Sequence, residues 1–183
     1  VIKHDDDIDN EEINIEEDCL KILALYQPVA SNLREVISIL KINNDLERIG
    51  DLCVNICRYL KKIMKAGPVE VPELFNDMFP KVLNMMNLTI DCCYNNDLAT
   101  AIKVCNLDFE VDKVNKELIT QITERISQND GNLTQLMFFF SMTRTLERIG
   151  DYFTNICEDI YYTVSGSIVR HNSDLMIAED EDD

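Results

Sequence analysis

The chain has 183 residues, enough for one sizeable domain or two small ones with buried cores. Hydrophobic residues make up 46%, which excludes a disordered chain, and the scarcity of Gly and Pro favours long helices over tightly turned sheet. A net charge of −17 argues against nucleic acid and against electrostatic docking on anionic lipid, and no apolar run approaches the ~20 residues of a membrane helix, so direct membrane insertion is not expected.

In chain order, a first helix carries the string DDDID (5–9) and ends at Gln27-Pro28, where Pro also suits the first turn of the next helix. In that second helix Leu46, Ile49, Cys53, Ile56, Leu60 and Ile63 step by three and four, the mark of one apolar stripe. Ala66-Gly67-Pro68 closes this unit. Three further helices are expected over 73–94, 97–127 and 133–165, with turns at Asn95-Asn96-Asp97 and over 128–132. Pro80 should kink or shorten the first of them. The like-charge run Glu179–Asp183 ends an acidic tail (171–183) expected to be disordered. Seven Cys, an odd number without disulfide-framework spacing and with no signal peptide, point to a reducing, cytoplasmic compartment. Cys53-x-x-x-Cys57 has no Cys or His partner at zinc-site spacing and reads as two small buried hydrophobes.

Residues 46–57 read LERIGDLCVNIC and residues 146–157 read LERIGDYFTNIC, nine of twelve positions identical at an offset of 100. A second pair, DDDID (5–9) and DFEVD (108–112), repeats at an offset of 103. The chain is therefore an internal duplication: an all-α protein of two tandem antiparallel three-helix bundles, 1–68 and 69–170. The first repeat lacks about 32 residues of the second, one helix and its turn. It is either truncated at its N-terminal side or completed by another chain, as in a homodimer.

What each copy preserves is a polar face. In a helical hairpin, residues equidistant from the turn lie side by side. Asp9 with Glu47 and Asp5 with Asp51 both centre on Pro28; Asp112 with Glu147 and Asp108 with Asp151 both centre within Asn129-Asp130-Gly131. Each copy should thus gather four carboxylates, two on each helix. Acids at i,i+4 repel, by roughly 1–3 kcal/mol for a pair ~5 Å apart at effective dielectrics of 80 to 20. Arg48 and Arg148 are expected to point ~100° away around the helix. Such clusters suit hard cations: magnesium, calcium, manganese or iron, zinc being less natural without His or Cys ligands. The mid-helix Gly50 and Gly150 cost ~1 kcal/mol each against Ala, which points to close helix contact or to access for a cluster. No Gly-rich phosphate loop, catalytic nucleophile or Glu-x-x-His di-iron motif occurs, and His4 and His171 read as surface residues.

The strings Asp-Leu-Glu-Arg-Ile-Gly-Asp-x-x-x-Asn-Ile (45–56), Gln-Pro-Val-Ala-Ser-Asn-Leu-Arg (27–34), Asp-x-x-Ile-Asp (5–9) and Ile-Val-Arg-His (168–171) resemble the PhoU family of phosphate-transport regulators. The resemblance implies two three-helix bundles with surface metal clusters, here at Asp5, Asp9, Glu47, Asp51, Asp108, Asp112, Glu147 and Asp151. It further implies a non-enzymatic negative regulator linking a phosphate ABC transporter ATPase to a sensor histidine kinase. Thr143-Arg144-Thr145 in place of Asn43-Asn44-Asp45 implies that the two sites differ in affinity. Two other readings stay open: a cytosolic domain of a sodium–phosphate cotransporter, and a carboxylate-bridged metal oxidase.

Overall fold

The computed structural model describes residues 5–129 and 131–169, and of Asp5 only the backbone. His4, His171 and the acidic tail lie outside the described residues. Among the described residues the fold is five helices: α1 (Asp5–Tyr26), α2 (Ala30–Lys65), α3 (Phe75–Asn95), α4 (Leu98–Ser127) and α5 (Leu133–Ser165). None is long and apolar enough to cross a membrane.

Helix ends follow local chemistry. Asp97 caps α4 by accepting from the Ala99 N–H at 3.0 Å, and Asn132 caps α5 by accepting from the Thr134 and Gln135 N–H groups. Asn96 and Gly166 close α3 and α5 in the left-handed conformation, φ 51° and 78°. The third helix starts two residues later than expected, after an overwound turn in which Phe75, Asn76 and Asp77 donate to the carbonyls three residues back. From there it runs unbroken through Pro80.

Helices α3, α4 and α5 pack mutually as a three-helix bundle, while among the described residues α1 packs only on α2, and α2 lies along α5. The core of the bundle is fully buried around Met78, Met85, Leu118, Ile122, Leu136 and Phe139. Phe75 packs its ring 5.6 Å from that of Phe139. The α2–α5 seam is antiparallel. At one end Gln135 donates from Nε2 to the Ile63 and Gly67 carbonyls; at the other Lys41 Nζ meets the buried Asp159 carboxylate at 3.1 Å.

The two copies differ where the second has α3. Leu146 is 3% exposed and its counterpart Leu46 is 51% exposed; Leu118 is 0% exposed and its counterpart Ile15 is 39% exposed. In the first copy these apolar side chains line an open groove of about 400 Å³ between α1 and α2, which adjoins a cavity of about 590 Å³ between α2, α5 and the end of α3; the two share Ile15, Asn43 and Leu46.

Candidate metal centre

In the second copy Asp108 and Asp112 stand one turn apart on α4, and Glu147 and Asp151 one turn apart on α5. The four belong to one electrostatic cluster. Burial pushes the Asp108 carboxyl up to about 7, and the charges of Asp151, Asp112, Glu147 and Glu158 add to it. Glu147 is also raised, first by desolvation and then by Asp151, with Arg144 opposing. Asp151 is raised by desolvation and Asp112, with Arg148 and Arg144 opposing. These shifts share their causes: burial first, then carboxylates facing one another across the α4–α5 hairpin without enough counter-charge. Lys116 approaches Asp112 only at 3.9 Å and is itself largely exposed.

Asp108 is the innermost member. Its Oδ1 is buried and accepts no hydrogen bond, an arrangement that costs free energy unless a cation or proton satisfies it. Gly150 makes room for it: a Cβ there would stand 3.1 Å from Asp108 Oδ1 and 3.7 Å from the Met85 sulfur. The mid-helix Gly therefore serves both expected purposes, close contact with α3 and space for the acid.

The first copy is a looser version. Glu47 on α2 is raised by desolvation and then by Asp51, with Asp9 and Glu12 contributing from α1. Asp9 is thus level with Glu47, as the hairpin midpoints require. The structure says nothing of the Asp5 side chain, so its place in this cluster lies outside the described residues. Gly50 here lies against Ile8, whose Cδ1 would stand 3.3 Å from an added Cβ, a close contact between α2 and α1. Asn43 donates from Nδ2 to the Glu12 carbonyl at 2.8 Å and ties α1 to α2; its counterpart Thr143 is fully buried with an unpartnered hydroxyl.

One expectation is corrected. The ~100° offset around the helix predicts Arg48 pointing away from the acids, yet its Nε lies 3.8 Å from Glu47 Oε2, because a four-bond side chain reaches back over the helix surface. Two acids escaped the sequence reading, Glu12 beside Glu47 and the buried Glu158 near Asp108. Both stand seven residues from a motif Asp, Glu12 from Asp5 and Glu158 from Asp151, a two-turn spacing that could have found them. The Cys53–Cys57 pair is free and half-buried, with no metal-ligand grouping around it.

Among the described residues no three His, Cys, Asp or Glu side chains are grouped so as to hold an ion as they stand. The residues nonetheless fit a hard cation chemically: an all-oxygen donor set, an orphaned buried oxygen on Asp108, and carboxyls held above their ordinary range.

The PhoU domain family matches residues 1–60 and 75–160. A phosphate-specific transport system accessory protein PhoU homolog of Clostridium acetobutylicum is 33% identical over 94% of this chain and 79% of its own length. A homolog from Thermotoga maritima, bearing the same description with the number 1, is 32% identical over 93% of this chain and 74% of its own. The crystal structure of PhoU from Pseudomonas aeruginosa superposes with a TM-score of 0.85 at 33% identity, covering 90% of this chain and 79% of that one.

Proposed function

Because the chain belongs to the PhoU family, we propose that it is a negative regulator of phosphate uptake and of phosphate-starvation signalling, acting by contact rather than by catalysis. Its relatives carry the name of accessory proteins of the phosphate-specific transport system, and the reading brings that role to this chain. Its partners are then the ATPase of a phosphate ABC transporter and a sensor histidine kinase, met on the cytoplasmic side of the membrane.

The observation that carries the site is the orphaned, buried Oδ1 of Asp108 among three further acids. In this reading Asp108, Asp112, Glu147 and Asp151 hold a divalent or trivalent cation (iron, manganese or magnesium), and Asp5, Asp9, Glu47 and Asp51 hold a second. A bound cation supplies positive charge and Lewis acidity to a patch that is otherwise negative. The chain's own contribution is to fix four oxygens on two helices and to leave Gly150 without a side chain. The open α1–α2 groove supports a further element of the reading, that the first bundle takes a third helix where the second has α3.

The experiment is affinity purification from host membranes of the chain expressed at its native level in high phosphate. The transporter ATPase or the sensor kinase is expected in the eluate, at a yield that falls on phosphate starvation. Recovery of neither, under conditions where the two partners are shown to be present, would overturn the adaptor role.

A further inference from the structure

The last two turns of α2 carry a feature that the acid clusters do not use. Arg58, Lys61, Lys62 and Lys65 stand at i, i+3, i+4 and i+7, within about 60° to either side of one line along the helix. They are four of the 17 Lys and Arg residues in a chain of net charge −17. All four are exposed. Among the described residues none has a carboxylate within ion-pair distance; the nearest acid along the chain, Glu70, turns instead toward Arg125 at 3.9 Å. Lysines in a last helical turn complement the helix dipole, which accounts for Lys62 and Lys65 but not for Arg58 and Lys61. The second copy places Glu158, Tyr161, Tyr162 and Ser165 at the matching positions, so the stripe belongs to the first copy alone.

The stripe is also held in place. The Arg58 guanidinium donates from Nη1 to Asn55 Oδ1 at 3.2 Å, and Lys62 Nζ sits 5.1 Å from the centre of the Phe138 ring. Phe138 in turn stacks on Tyr59 at 6.0 Å. Beside Lys61 the side chain of Met64 is 78% exposed, a flexible apolar contact of the kind that partner surfaces use.

We propose that this stripe is a docking site for a short acidic helix of a partner protein, with carboxylates at i, i+3 or i+4, and i+7 and one apolar residue seated on Met64. Length and range decide the class of partner. The four cations span about 10 Å along the helix, and charges separate electrostatically beyond about 8 Å at physiological salt. A short acidic segment feels the stripe and little else. A nucleic acid or an anionic bilayer extends past it and meets the repulsion of the remaining surface.

The test titrates the full chain with a synthetic 14-residue helical peptide bearing glutamates in that pattern and one leucine, read by backbone amide shifts and calorimetry. Shifts are expected to concentrate on residues 58–65. K61E/K65E is expected to weaken binding at least ten-fold and to bind the lysine-for-glutamate peptide instead. K61Q/K65Q, which keeps the helix and removes only the charge, should weaken binding to a lesser degree. Equal peptide binding by wild type and both variants would overturn the proposal. So would failure of the wild type to bind the peptide at all, or stripe-dependent binding to vesicles containing phosphatidylglycerol or to single-stranded DNA in preference to the peptide.

Discussion

Deleting the gene in its host is expected to leave phosphate-starvation genes switched on in rich phosphate, close to the level seen under starvation. The expectation rests on the contact role proposed above, in which the chain acts by its presence between partners rather than by turnover. Restoring the wild-type chain from a plasmid should restore repression. A chain carrying Glu147→Gln and Asp151→Asn should restore it poorly while accumulating to the same level, because these changes remove two of the four charges of the second cluster and leave its volume nearly unchanged. Reporter fusions to a starvation promoter, read in high and low phosphate, make the measurement. Normal repression in the deletion strain, with no other PhoU-family gene present, would remove the regulatory assignment.

Asp108→Asn is expected to separate stability from metal binding. The carboxyl of Asp108 is pushed up to about 7 by burial and then by neighbouring acids, against ~3.9 in an unfolded chain. Between pH 4 and 7 the folded state therefore holds a proton that the unfolded state has lost. The stabilisation is complete below pH 4 and falls away as pH rises through 7. Glu147 and Asp151 are raised in the same direction and steepen the decline. In chelator at pH 8, asparagine removes the cost of the buried charge, on the order of 1–2 kcal/mol once discounted for the part exposure of the side chain. That corresponds to a melting temperature higher by roughly 2–8 °C. At pH 4 the two proteins should melt alike. The same substitution should lower metal affinity at least ten-fold, and wild-type affinity should rise with pH through 7 as the proton leaves. Thermal unfolding with and without manganese, at pH 4, 6 and 8, checks both halves; a variant no more stable than wild type at pH 8 would contradict this account of Asp108.

Much of this was readable in the sequence because helices have a fixed rise. Two antiparallel helices joined by a short turn must bring equidistant residues level, so Pro28 and Asn129–Gly131 sufficed to pair Asp9 with Glu47 and the α4 acids with those of α5. What periodicity cannot supply is the rotation of one helix against another. Helix α4 is clamped between α3 and α5, whereas among the described residues α1 rests on α2 alone, a difference in surroundings that two matching strings do not register. The seam between α2 and α5 was equally out of reach. Lys41 with Asp159, and Gln135 with the Ile63 and Gly67 carbonyls, join residues far apart in sequence whose side chains carry no shared pattern. The late start of α3 depends on a single overwound turn after Pro72, which spacing of apolar residues does not register.

Metal ligation by the repeated acids, as proposed above, is tested by elemental analysis of the chain purified without chelator and without a His tag. At least one equivalent of iron, manganese or magnesium per chain is expected, held through dialysis, with the content of the second site lost in the Glu147→Gln, Asp151→Asn double variant. Metal-free wild-type protein that takes up no cation on titration, or a double variant with unchanged stoichiometry, would contradict it and leave the acids as a solvated face.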